Sequence, residues 1–255
     1  MTKLRLVLAA CVAVLPNWLK ILVLRHGFGF HIGRRVSIGF SLFAGVQRCH
    51  IADDVRIGHW NAFMNIRELE IEDHVKIGFL NLFRGGDRIH IGRYATILRL
   101  NVMNSRPSTE AVNPTVPELQ LGEGSVITNG HWLDFTDRIE LGDHAIIGGR
   151  NSSLWTHNRQ RTRPISIGAH SYLGSEIRMA PGAAVASCSI VSLGSVLTQR
   201  FEEDRVLISG NPARVQRPIR DRDFFLITRK TRSDIPDEIA VRSLPEDIVA
   251  YRAER

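Results

Sequence analysis

"IGAHSYLGSEIRMAPGAAVASCSIVSLGSVL", residues 167–197, keeps a strict six-residue beat. Ile167, Leu173, Met179, Val185, Val191 and Leu197 lead the units. Gly168, Gly174, Ala180, Ala186 and Ser192 follow them, all small. Four residues after each lead comes a second, mostly small position: Ser171, Ile177, Ala183, Ser189, Ser195. Six matches neither the 3.6-residue period of a helix nor the two-residue period of a flat strand. It requires a short strand and then a corner, repeated.

The same unit recurs upstream in pairs: Ile32 and Ile38, Ile51 and Ile57, Ile71 and Ile77, Ile91 and Ile97, Leu121 and Ile127, Leu141 and Ile147. The usual step between pairs is 20 residues, so a coil here holds three units plus about two residues. One such coil cannot bury its own aliphatic side chains. Stacked coils form a continuous core, and each strand pairs with those above and below it.

The pattern of an aliphatic, a small residue, two free positions and another small one resembles the hexapeptide-repeat proteins. The tail "SLGSVLTQRFEEDRVLISGNPARV", residues 192–215, strengthens the likeness: Gly210-Asn211-Pro212-Ala213-Arg214 is similar to that family's closing segment. The resemblance covers about residues 30–215. It implies an all-β solenoid, a left-handed parallel β-helix of triangular section, with a short N-terminal helical segment and a C-terminal appendage. The hand comes from the resemblance, since most parallel crossovers are right-handed. Residues 1–29, 30–215 and 216–255 are the expected divisions, with loops at 101–120 and 150–164 where the beat breaks.

Composition sets outer limits. In 255 residues, 44% are hydrophobic, enough for a real core. Aromatic residues at 7% are few for a base-stacking surface, and no nucleic-acid motif is present, so nucleic acid is not an expected partner. The net charge of +7 favours polyanionic partners, among them anionic lipid and phosphorylated ligands. Cys11, Cys49 and Cys188 have no metal-type spacing and read as reduced thiols of a cytoplasmic protein, at most peripheral at the inner face of a membrane. The first 24 residues read as two short apolar helices joined at Pro16–Asn17. Their unbroken apolar run is too short to span a bilayer, which takes about 20 residues. They pack on the protein or lie on a membrane surface; the sequence leaves both open.

Ten histidines compete for a chemical role. His74, His144 and His170 occupy corner positions expected in solvent. His50 and His90 directly precede a lead aliphatic, on an outer face. His26, His31 and His59 have no acidic or hydroxyl cluster nearby. His131, in "NGHWLDFTD" (129–137), and His157, in "SLWTHNRQ" (153–160), both follow a loss of register. Adjacent coils could bring the two to within ~5–10 Å, given strands ~4.8 Å apart. Asp134 and Asp137 read first as solvated loop acids.

The sugar and polysaccharide O-acetyltransferase branch of the family carries a Trp-Thr-His or Ser/Thr-His segment just before the final regular coils, and its His is the general base. Trp155-Thr156-His157 matches it. Asn158-Arg159 departs from it, standing where that branch often has Gly-His. The resemblance therefore implies His157 as catalytic base. The adjacent-coil spacing adds Asn129, His131 and Asp134, and the motif itself adds Trp155 and Asn158, as candidate acceptor contacts. The resemblance also implies acetyl-CoA or another acyl-CoA as co-substrate. Gly174, Ala180 and Ser192 are small enough to admit the pantetheine arm, and Arg200, Arg205, Arg214 and Arg217 are available to its phosphates. A homotrimer, a sugar or glycan acceptor and no metal complete that expectation. Two other readings stand beside it: a γ-carbonic-anhydrase-like metal enzyme, which needs three converging histidines, and a non-catalytic binding scaffold.

Overall fold

The computed structural model describes residues 3–106, 112–228 and 230–253. The chain winds as a parallel β-helix, each coil laying one short strand on each of three faces. Among the described residues the faces hold nine, ten and eight strands. Face one opens with His31–Ile32 and Arg48–Ile51, face two with Ser37–Ile38 and Arg56–Ile57, face three with Leu42–Ala44 and Ala62–Met64. The lead aliphatics stack in register: Ile51, Ile71, Ile91, Leu121, Leu141, Ile167 and Val185 on face one. Ile57, Ile77, Ile97, Ile127, Ile147, Leu173 and Val191 do the same on face two. On face three the column starts as an aromatic pile, with Phe43, Phe63 and Phe83 rings 4.7 and 4.6 Å apart and nearly parallel.

The two extra residues of a 20-residue coil lie on face one. There the early strands run four residues and turn two side chains inward, as Leu69 and Ile71 or Ile89 and Ile91 do. The last coils drop that pair and shorten to the bare hexapeptide period. At the start of face three an inward polar column replaces aliphatics. Asn61, Asn81 and Asn101 are buried, and each carboxamide oxygen accepts the next coil's backbone N–H at 2.9–3.1 Å. Buried amides satisfied in this way tie coil to coil without leaving a polar atom unpaired.

The corner between faces one and two, and that between faces two and three, each turn through one residue of positive φ. Asp54, His74 and Tyr94 do so at the first corner; Trp60, Leu80 and Leu100 do so at the second. For non-glycine residues this conformation costs roughly 1–2 kcal/mol each. The third corner, between faces three and one, is where the chain leaves the solenoid. The expected loops 101–120 and 150–164 are shorter than the beat suggests. Val102–Asn104 and Glu118–Leu121 are strands, as is Ser153–Trp155. The departures are therefore 105–117 and 156–164, since the aliphatics Met103, Leu119 and Leu154 still point inward.

Two helices, α1 (Lys3–Ala13) and α2 (Asn17–Gly27), cover the first coil. Buried Lys20 of α2 donates to the carbonyls of Ile38 and Gly39, and Asn17 brackets the Val36 carbonyl and the Ile38 N–H. The strand Val206–Gly210 closes face two, and Ala213–Pro218 folds back antiparallel on it. Beyond this, α3 (Phe224–Thr228), α4 (Asp237–Ala240) and α5 (Glu246–Ala253) form the appendage along the first corner. Arg232 donates to the carbonyls of His74 and Tyr94, Arg242 pairs with Glu123, and Arg205 pairs with Asp247. His144 and His170 are consequently not solvated, as their corner positions had suggested. Both are buried and their rings stack at 4.9 Å.

Candidate functional site

The third corner gathers the chemistry. Thr156, fully buried, fixes the root of the second departure: its hydroxyl donates to the Asp134 carbonyl at 2.7 Å and accepts the Asp137 N–H at 2.9 Å. From that root residues 156–163 form a small hairpin. Arg163 N–H donates to the Thr156 carbonyl, His157 bridges Thr162, and Asn158 N–H donates to the Arg161 carbonyl. The Asn158 carboxamide oxygen accepts the N–H groups of Gln160 and Arg161 at 2.8 and 2.9 Å. Asn158 thus builds the turn, and only its amide hydrogens remain for an acceptor. His157 is half-buried beside the turn, reachable from solvent.

The first departure packs against the second. Asn113 accepts the Thr162 N–H at 3.0 Å, and Val116 N–H donates to Asp137. Beneath them lies the strand Trp132–Asp134. Its Leu133 points into the core, so strand alternation turns Trp132 and Asp134 outward. Asp134 is nevertheless 1% exposed. One carboxylate oxygen accepts the Thr136 N–H and hydroxyl. The other is buried and accepts no hydrogen bond among the described residues, with Arg106 Nε 4.0 Å away. Neither Asp134 nor Asp137, which is also buried, is a solvated loop acid; the two departures cover both. Trp155, next along the same column, is exposed and stacks on Trp132 at 5.8 Å. A reachable imidazole, an aromatic shelf and a covered carboxylate share this corner.

His131 does not join them. It begins face three at the second corner, a strand's length from His157, and points inward as the next rung after Asn101. Its Nδ1 accepts the Ser152 N–H at 3.1 Å, and its Nε2 meets the Thr128 hydroxyl at 3.0 Å. Burial lowers its pKa to about 4, so it stays neutral. Both nitrogens are engaged, and no acceptor reaches them. Asn129 also lies at the second corner, in a cleft of about 300 Å³ with Phe79, Arg99 and Arg150.

The residues expected for an acyl donor separate in the same way. Ala180 sits one coil beyond Trp155 on the third corner, followed by Pro181 and Gly182, the latter under the Arg163 side chain. Arg200 is exposed on face one and paired with Glu202. Gly174 and Ser192 lie on the second corner. Arg214 lies on the return strand, its guanidinium on the Ala213 carbonyl. Of the two further arginines, Arg205 is tied to Asp247 and Arg217 to Asp223. Sequence reasoning had Thr156 in the motif but not its clamping role, and it missed Trp132 and Arg106; the Trp132–Trp155 pairing carries no signal until face three is in register. Among the described residues of one chain no three His, Cys, Asp or Glu side chains converge to hold a metal.

No family model matches the chain. A stretch of 74 residues is 37% identical to the galactoside O-acetyltransferase of Escherichia coli K12, covering 28% of this chain and 36% of that protein. The chain thus spans about a third of the curated relative it matches. Among solved structures, the polySia-specific acetyltransferase NeuO superposes with a TM-score of 0.54 over 88% of this chain and 93% of that one, at 14% identity. The UDP-N-acetylglucosamine acyltransferase from Campylobacter jejuni gives 0.47 over 83% and 76%, at 16% identity. At 14% identity the likeness to NeuO is one of fold: the chain shares its β-helix architecture.

Proposed function

We infer that the chain is an acyl-CoA-dependent O-acyltransferase, with acetyl as the acyl group, acting on a sugar hydroxyl in cell-surface polysaccharide or glycolipid synthesis in the cytoplasm. The observation that carries the reading is His157, held half-buried at the root of a hairpin clamped by Thr156, next to the Trp155–Trp132 shelf. The named activities of the galactoside relative and of NeuO agree with it.

His157 is the general base. It takes the proton of the acceptor hydroxyl as that oxygen attacks the thioester carbonyl. The tetrahedral intermediate collapses, the C–S bond breaks, and the imidazolium returns the proton to the departing CoA thiolate. The shelf receives the apolar face of a sugar ring. Asp134 is a positioning group beneath it. The acyl donor lies along the third corner past Ala180 and Gly182, where small side chains leave room for a pantetheine arm. Gly174 and Ser192 contribute from a second copy in a homotrimer, because within one chain they face the other edge of face three.

Thermal denaturation with acetyl-CoA is the direct test. Ligand at 100 times its dissociation constant should add about 2.7 kcal/mol of stability. An unchanged melting temperature at millimolar acetyl-CoA would leave only the scaffold reading.

A further inference from the structure

We propose that the helix pair α1–α2 docks the chain on an anionic lipid surface. Three observations carry this. First, the charge is lopsided. Residues 1–50 contain seven Lys and Arg and no Asp or Glu, which equals the whole chain's +7; the remaining residues hold 26 of each sign. Three of the seven, Arg34, Arg35 and Arg48, pair with Asp53, Asp54 and Glu68 of the following coils; the other four, Lys3, Arg5, Lys20 and Arg25, belong to the helix pair, which has no Asp or Glu of its own.

Second, the pair is mounted with its polar anchors inward and apolar side chains outward. Lys20, Asn17 and Arg25 are tied to backbone carbonyls of the first coil. Ala9, Val12 and Leu24 are buried. Outside, Val7, Leu8 and Leu22 are exposed, with Val14 at 63% and Trp18 at 70%. Trp beside aliphatic residues on a basic helix suits the headgroup boundary of a bilayer.

Third, among the described residues no helix is long and apolar enough to cross a membrane. The segment lies on a surface and does not span it. A second copy of this chain is the poorer occupant, since it would set the same unbalanced positive charge against itself. Anionic headgroups complement the net positive charge of the acid-free helix pair through its field, while the acyl boundary takes Val14, Trp18 and Leu22.

Flotation of the full chain with phosphatidylcholine vesicles, with and without phosphatidylglycerol, tests this. The chain should float with the phosphatidylglycerol vesicles, far less with phosphatidylcholine alone, and less at high salt. Trp18→Glu and Leu22→Glu should each lower the vesicle partition about tenfold. Their melting temperatures and sedimentation coefficients should match the parent, because both side chains are exposed. No flotation with phosphatidylglycerol vesicles overturns the proposal. So does a smaller sedimenting species in either variant, which would make the surface a subunit interface.

Discussion

At the scale of single residues, one histidine side chain has been built into the frame and another left reachable. His131 occupies a rung that asparagine fills three coils running, and both its nitrogens are engaged within the solenoid. With its pKa held at about 4 by burial, against an ordinary 6.5, the folded chain resists a proton that the unfolded chain accepts. Stability from this site is complete above pH 6.5 and is lost as pH falls from there toward 4, on the order of 3 kcal/mol in all. His170 behaves alike. Burial outweighs its hydrogen bonds to the Arg242 and Ile227 carbonyls, and its pKa is also about 4. Replacing His131 with Asn should keep the ladder, since a carboxamide oxygen can accept the Ser152 N–H. Urea midpoints of His131→Asn should therefore decline about half as steeply between pH 6.5 and 4. A slope equal to the parent's would mean that His131 is not held neutral.

Among elements, the regular coils were legible because each aliphatic repeats its neighbour's environment. The departures were less so. Their boundaries were overdrawn because Val102–Asn104 and Ser153–Trp155 lack the small residue that marks a unit, although their central residues still point inward. His157 stood out in the sequence as a break before the final run. Its separation from His131 did not, because sequence distance does not say which corner a residue turns. The appendage carried no periodic signal at all. It is attached by long-range contacts such as Arg232 to the His74 and Tyr94 carbonyls at 2.7 and 3.1 Å. Arg232 also holds the Asp234 carboxyl well below the usual carboxylate range, with Lys76 assisting. Arg232→Ala should strip both carbonyls of their charged donor, at a local cost of about 1–3 kcal/mol. Limited proteolysis should then cut within 219–253 faster than in the parent, while the solenoid's own melting is unchanged. Cleavage at the parental rate would show that the anchor is redundant.

On the scale of the whole molecule, the β-helix is a stiff rod on which position is set by coil and corner. Its net positive charge and its apolar helices are at one end. Both loops leave from one edge, two strands apart, so that each buttresses the other over Asp134. Such an arrangement follows from adding residues at one corner only, which leaves the stacked core intact. Sequence alone supplied the rod and the candidate base; the shelf, the clamp and the covered carboxylate needed three-dimensional register. The central claim is that His157 takes the proton of a sugar hydroxyl during transfer from acyl-CoA. It is tested most directly by following release of free CoA thiol from acetyl-CoA across a panel of glycan acceptors, with the parent chain and with His157→Ala. The account predicts acceptor-dependent release by the parent and a loss of about 10²–10⁴-fold in the variant, the range of a general base, with acetyl-CoA affinity and assembly retained. Release by His157→Ala at the parental rate, or no acceptor-dependent release by the parent, would contradict it.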